Sequence, residues 1–246
     1  MLNEKAYALG ANRSVIRDLF EYGLSRAAVV GAENIYDYSL GNPSIPAPKE
    51  VNETICQILS DTDSLKVHGY TSAIGDFDTR KAISDDLNAR YGVDTKPEEF
   101  FIGCGAAPEL VSVFRALSVP GGEVLAIAPY FPEYKPFVEE AGLTFKVVPA
   151  DVPSFQINFD ALNKQITEHT QAIILNSPNN PSGVVYTVET LKKLQRLLED
   201  KIIEYGHTIY LISDEPYREL TYGVEAPWIP SLYNDTIVCY SYSKSL

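Results

Sequence analysis

Ala172-Ile173-Ile174-Leu175-Asn176-Ser177-Pro178-Asn179-Asn180-Pro181-Ser182-Gly183 runs from an unbroken apolar tetrad into a turn of asparagines, prolines and a glycine. A short apolar run closed by turn residues is the pattern of a strand buried on both faces. Thr187, a capping residue type, then opens a helical pattern over 188–205 that Gly206 stops. A second apolar run over 209–213 follows and ends in Asp214-Glu215-Pro216-Tyr217. Strand, helix, strand in this order indicates a mostly parallel sheet covered on both faces.

The same alternation extends in both directions. It predicts strands over 100–103, 124–128, 144–148 and 237–240, and helices over 108–117, 134–141 and 159–166, the last capped by Asn158. Nearer the N-terminus, helices are expected over 12–30, 49–59 and 78–91. Between them lie Ser39-Leu40-Gly41-Asn42-Pro43-Ser44-Ile45-Pro46-Ala47-Pro48, too rich in Pro and Gly for a regular element, and the loop His68-Gly69-Tyr70-Thr71-Ser72-Ala73-Ile74-Gly75. The expected architecture is a three-layer α/β/α large domain with a mostly parallel mixed sheet, over residues 46–246. A short N-terminal segment, residues 1–45, precedes it.

Composition narrows the function. With 45% hydrophobic and 22% charged residues among 246, the chain can bury a substantial core. A formal charge of −13 argues against a nucleic-acid partner, whose phosphates require a basic face. Cys56, Cys104 and Cys239 are widely spaced in or beside apolar runs and are expected to be buried, reduced thiols. His68, His169 and His207 show no metal-ligand spacing, so no metal site is read. No apolar run approaches the roughly 20 residues of a membrane span, and the N-terminus lacks a signal-peptide pattern. The expected location is the cytoplasm.

Three polar motifs each follow an apolar run: 176–183, Asp214-Glu215-Pro216-Tyr217, and Ser241-Tyr242-Ser243-Lys244. Strand ends of a parallel sheet converge on one edge, where such folds bind ligands. The motifs bring an amide, a carboxylate, a phenol, hydroxyls and a lysine, the set needed to hold a pyridinium ring and form a Schiff base with its aldehyde. An imine-forming lysine must offer a neutral amine, which burial or a nearby cation favours. A carboxylate in the position of Asp214 pairs with a protonated ring nitrogen and keeps the ring an electron sink, or else serves as a helix cap. Asn180 and Tyr217 are placed to reach the ring's phenolic oxygen, although turn chemistry alone explains the asparagine. Gly103-Cys104-Gly105-Ala106-Ala107-Pro108 lies between a strand and a helix and reads as a phosphate cradle of backbone N–H groups. It is not a dinucleotide fingerprint, because Pro108 replaces the third glycine and the acidic residue after the next strand is missing. Phe131 follows another strand and either stacks on the ring or belongs to the core.

In their order and spacing the three motifs resemble the class I and II aminotransferases, the pyridoxal-phosphate enzymes of the aspartate aminotransferase type. Weaker similarities run back through residues 103–110 and Gly69-Tyr70-Thr71 to Gly41-Asn42-Pro43, so the resemblance covers nearly the whole chain. It implies pyridoxal 5'-phosphate as cofactor, with Lys244 as the Schiff-base lysine and Asp214 on the pyridine nitrogen. Asn180 and Tyr217 would contact the phenolic oxygen. Gly105, Ala106, Ala107 and Ser241 would hold the phosphate, and Phe131 would stack on the ring. Gly41, with Asn180, would meet the substrate carboxylate, which makes residues 1–45 a substrate-loop segment. Tyr70 would reach the phosphate of a neighbouring subunit, implying a homodimer. The substrates implied are an α-amino acid and a 2-oxo acid.

Two departures accompany the resemblance. The cradle Gly105-Ala106-Ala107 has no hydroxyl, so phosphate binding would lean on backbone amides and Ser241. The family also continues past its lysine, with a phosphate-binding arginine and a small domain carrying the substrate arginine, both beyond Leu246. The chain is therefore expected to be truncated just after Lys244, with the C-terminal small domain absent and with little turnover by itself. A pyridoxal-phosphate lyase or synthase would use the same cofactor residues. A binding module that retains the pocket without turnover is the reading from a different class.

Overall fold

The computed structural model describes residues 2–11, 15–39, 41 and 45–246; the side chains of residues 5, 6 and 9 lie outside the description. The chain divides into two compact units, Met1–Pro48 and Lys49–Leu246. The first unit contains α1 (Glu4–Ala11) and α2 (Val15–Val30). Asn34 Nδ2 donates to Val30 O at 2.7 Å and satisfies a carbonyl that the end of α2 leaves open. The expected helix over 12–30 is present from Val15; its residues 12–14 lie outside the described residues.

The second unit opens with α3 (Lys49–Asp61), α4 (Ser64–His68) and α5 (Phe77–Tyr91). Asp63 caps α4 and Asp76 caps α5, each accepting from backbone N–H groups of the first turn. Next come α6 (Ala106–Ala116), β1 (Glu123–Ile127), α7 (Tyr134–Glu140), β2 (Thr144–Val148) and α8 (Phe159–Gln165). The unit continues through β3 (Thr170–Asn176), α9 (Val188–Tyr205), β4 (Tyr210–Asp214) and β5 (Thr236–Cys239). Asn158 accepts from Ala161 N–H at the start of α8, and Thr187 accepts from Thr190 N–H at the start of α9. Gly206 closes α9 in the left-handed conformation, as its sequence position predicts.

All pairings in the five-stranded sheet are parallel, in the order β2-β1-β3-β4-β5. The expected mixed sheet is thus parallel throughout its described strands. From β1 the chain steps outward to β2, then returns across the sheet to β3, β4 and β5. Right-handed crossovers require opposite steps to carry their helices on opposite faces, and side chains bear this out. Leu125, Ile127, Ile173, Leu175 and Leu211 pack with Leu162 of α8 and Leu191, Leu194 and Leu198 of α9. Val124, Ala126, Ala172, Ile174 and Ile212 pack with Leu110 and Phe114 of α6 and Val138 of α7. The three layers follow directly, and the step direction reverses between β1 and β3.

Two expectations from the sequence are corrected. Residues 100–103 form no strand; the segment is extended and tied by Ile102 N–H donating to Ile74 O at 3.1 Å. Apolar character alone does not make a ladder, and here the neighbour is a turn rather than a strand. Gly75, at φ +95°, lets Ile102 approach where a Cβ would stand 2.5 Å from its side chain. Of the three cysteines expected to be buried, Cys239 is buried, but Cys56 and Cys104 are exposed. Cys56 lies on α3, which buries none of its residues, and Cys104 sits in a turn between two glycines.

Candidate active site

A cavity of about 310 Å³ opens at the carboxyl edge of the sheet, a size that suits a small cofactor or substrate. Its wall is built from the ends of β3, β4 and β5, from the loop after β1, and from the start of α6. Ligands of doubly wound sheets bind in this place, outside the strand ends where the order reverses. Gly105, Ala106, Ala107, Phe131, Asn180, Asp214, Tyr217, Ser241 and Lys244 all line it. Two candidate residues do not. Tyr70 stands fully exposed in the loop after α4, and Gly41 belongs to the first unit, beside Asn42 and Pro43, which lie outside the described residues.

Asp214 ends β4 and is only 5% exposed. Its Oδ2 accepts the Tyr134 hydroxyl at 2.5 Å, whereas its Oδ1 is buried with no hydrogen-bond partner among the described residues. Burial pushes the carboxyl up to about 6; the Tyr134 hydrogen bond opposes that rise and the charge of Glu215 adds to it. A buried carboxylate oxygen left unpaired is costly, which marks it as an acceptor awaiting a donor.

Asn176 ends β3 and joins two of the motifs. Its Nδ2 donates to Asp214 O at 2.8 Å, and its Oδ1 accepts Asn180 N–H at 2.6 Å. The turn is thereby held so that Asn180 Nδ2 donates to the Tyr217 hydroxyl at 3.4 Å. Burial raises the Tyr217 phenol, and the Asn180 hydrogen bond moderates the rise. Behind this pair, Glu215 accepts Ser213 Oγ at 2.6 Å and Arg218 Nε at 2.6 Å. The Arg218 guanidinium lies 4.8 Å from the ring centres of both Trp228 and Tyr240. A buried ion pair clamped between aromatic faces fixes the segment that presents Asp214 and Tyr217.

At the opposite wall, Gly105 precedes α6 at φ +122°, a conformation L side chains rarely adopt. The first intrahelical bond of α6 runs from Glu109 N–H to Gly105 O. The N–H groups of Gly105, Ala106 and Ala107 lie ahead of it, where a helix start leaves donors without intrahelical partners. Ser241 caps the last turn, Tyr242–Lys244, by accepting Ser243 N–H at 3.1 Å, and this turn carries Lys244 into the wall. Phe131 is half-buried and meets the Tyr134 ring edge-on at 5.6 Å.

Sequence reasoning missed Asn176 as the tie between motifs, Tyr134 as the partner of Asp214, and the Glu215–Arg218 pair. Asn176 was legible as a polar residue ending an apolar run. Tyr134 was not, because a tyrosine opening a helix says nothing of a hydroxyl that reaches 80 residues away.

A parallel three-layer sheet with an amide, a phenol, a buried carboxylate, a lysine and a helix N-terminus around one cavity defines an α/β protein with a candidate ligand site at the carboxyl edge of its sheet. Comparison with known proteins then gives the family. The profile of "Aminotransferase class I and II" matches residues 32–246, and the chain belongs to that family. It is 32% identical over 202 residues to an aspartate aminotransferase of Thermotoga maritima, covering 82% of this chain and 51% of that protein. A probable aspartate/prephenate aminotransferase of Aquifex aeolicus is 31% identical over 222 residues, covering 86% of this chain and 53% of the relative. Among solved structures, an aminotransferase from Eubacterium rectale superposes with a TM-score of 0.96 at 53% identity, over 99% of this chain and 62% of that one. The chain thus spans about half the length of the curated relatives it matches. Among the described residues, no helix is long and apolar enough to cross a membrane.

Proposed function

We propose that the whole protein is a pyridoxal-phosphate-dependent aminotransferase that moves an amino group between an α-amino acid and a 2-oxo acid. The observation that carries this reading is the orphaned, buried Oδ1 of Asp214 on the wall of a cavity that also holds Lys244. The donor set fits the cofactor. Asp214 would accept the N–H of the ring nitrogen, and Asn180 and Tyr217 would bond the phenolic oxygen. The backbone N–H groups of Gly105, Ala106 and Ala107 would take the phosphate with the Ser241 hydroxyl, as helix starts do for anions. Phe131 would cover one face of the ring.

When bound, pyridoxal phosphate supplies an aldehyde for a primary amine and a cationic ring that draws off charge from the substrate's α-carbon. Lys244 would supply the primary amine that bonds this aldehyde, and as a free amine it would accept the proton that leaves the substrate's α-carbon. Asp214, as a carboxylate, would hold the ring nitrogen protonated. Gly41 and Asn180 would bond the substrate carboxylate, and Tyr70 would reach the phosphate site of a second subunit in a homodimer.

Incubating the full-length protein with pyridoxal phosphate, a panel of amino acids and a 2-oxo acid tests the reaction. The expected products are a new 2-oxo acid and a new amino acid in equal amounts. Ammonia and pyruvate in their place would identify a lyase and overturn the aminotransferase reading.

A further inference from the structure

The carboxylate in the cavity wall is held from behind by a side chain of another layer. Tyr134 stands in the first turn of α7, 1% exposed, and its hydroxyl donates to Asp214 Oδ2 at 2.5 Å. Burial and the neighbouring Asp214 charge push the phenol well above its ordinary range, so it stays the donor. Asp214 Oδ1 keeps no partner among the described residues. A hydrogen bond to one oxygen of a carboxylate restricts its rotation and favours the ionised form.

We infer that Tyr134 is a positioning residue: it holds the Asp214 carboxylate in one orientation and keeps it ionised, leaving Oδ1 as the acceptor for a cationic N–H in the cavity. The identity of that N–H rests on the pyridoxal-phosphate reading; the coupling of the two side chains does not.

The groups around Asp214 come from several elements. Glu215 and Tyr217 follow it in the chain, Cys239 faces it from β5, and Lys244 shares the cavity wall. Asn176 of β3 adds a neutral amide bonded to the Asp214 carbonyl. Glu215 raises the carboxyl and is itself paired with Arg218. Among the causes acting on Asp214, burial and Glu215 push its carboxyl up, and the Tyr134 hydrogen bond pulls it down. Removing that hydroxyl must therefore move the titration to higher pH.

The test follows the carboxylic-acid C=O stretch on acidifying the cofactor-free, full-length protein, with the Asp214 band identified by its loss in Asp214→Asn. In Tyr134→Phe the midpoint should rise by about one to two pH units, the worth of one charge-assisted hydrogen bond. Pyridoxal-phosphate affinity, measured between the two midpoints, should fall about tenfold or more and recover towards the wild-type value at higher pH. An unshifted C=O titration, or an affinity loss equal at every pH, would overturn the inference and leave Tyr134 a packing residue. Should Tyr134→Phe not fold, 3,5-difluorotyrosine at 134, a stronger donor, must shift the midpoint downward, and no shift would overturn the inference equally. If the wild-type protein does not bind pyridoxal phosphate, the cofactor reading fails, while the titration still decides the coupling.

Discussion

Asp214 is held about two pH units from its ordinary carboxyl value, at about 6 against 3.8. Between those values the unfolded chain has lost the proton and the folded chain still holds it. The folded state binds more protons there, so stability falls as pH rises from about 4 to about 6 and is then flat. The difference is about 3 kcal/mol of stability forgone at neutral pH, a cost that makes sense only if something binds the carboxylate. Asp214→Asn should therefore melt higher than wild type at pH 7 without cofactor and close to it at pH 4, while binding pyridoxal phosphate far more weakly. A variant that is less stable at pH 7 would contradict this account of the residue. For the cofactor the sign is opposite: binding needs the ionised carboxylate, so wild-type affinity should drop as pH falls through about 6.

Among the elements, β3 and β4 depend on Asn176, whose two hydrogen bonds join the turn after one strand to the end of the next. Asn176→Ala removes both and leaves buried polar groups unpaired, so urea denaturation should show a loss of about 2 kcal/mol together with weaker cofactor binding. Leu194, fully buried under the sheet on α9, provides the contrast. Leu194→Ala should cost about 2–5 kcal/mol yet leave affinity in the remaining folded protein unchanged, since α9 lies on the face away from α6. The helix over 188–205 was legible to the residue because Thr187 and Gly206 are local chemistry: a side-chain acceptor at one end and a left-handed turn at the other. The apolar run at 100–103 misled because a strand is defined by its neighbour, and the order of neighbours is not local information.

For the molecule as a whole, the candidate site was legible to the extent that it lies in loops following apolar strands. Asn180, Asp214, Tyr217, Ser241 and Lys244 are far apart in sequence, and parallel strand order alone brings them to one cavity. What supports those residues, Tyr134 behind Asp214 and the Glu215–Arg218 pair, was hidden because buried hydrogen bonds between layers leave no periodic trace. The cysteines give a footprint of the assembled site. Cys104 lines the cavity, Cys56 is exposed on α3, and Cys239 is buried with its thiol pushed up to about 12. Alkylation should therefore label Cys104 and Cys56 but spare Cys239, and pyridoxal phosphate should protect Cys104 alone. Equal protection of Cys56, or none of Cys104, would move the cofactor out of this cavity. The central claim is a cofactor held covalently by Lys244 against Asp214. Its most direct measurement is borohydride reduction of the protein with pyridoxal phosphate, followed by peptide mapping. The account predicts one stoichiometric pyridoxyl label on Lys244 that disappears in Lys244→Ala; a label spread over surface lysines, or kept at comparable yield in Lys244→Ala, would contradict it.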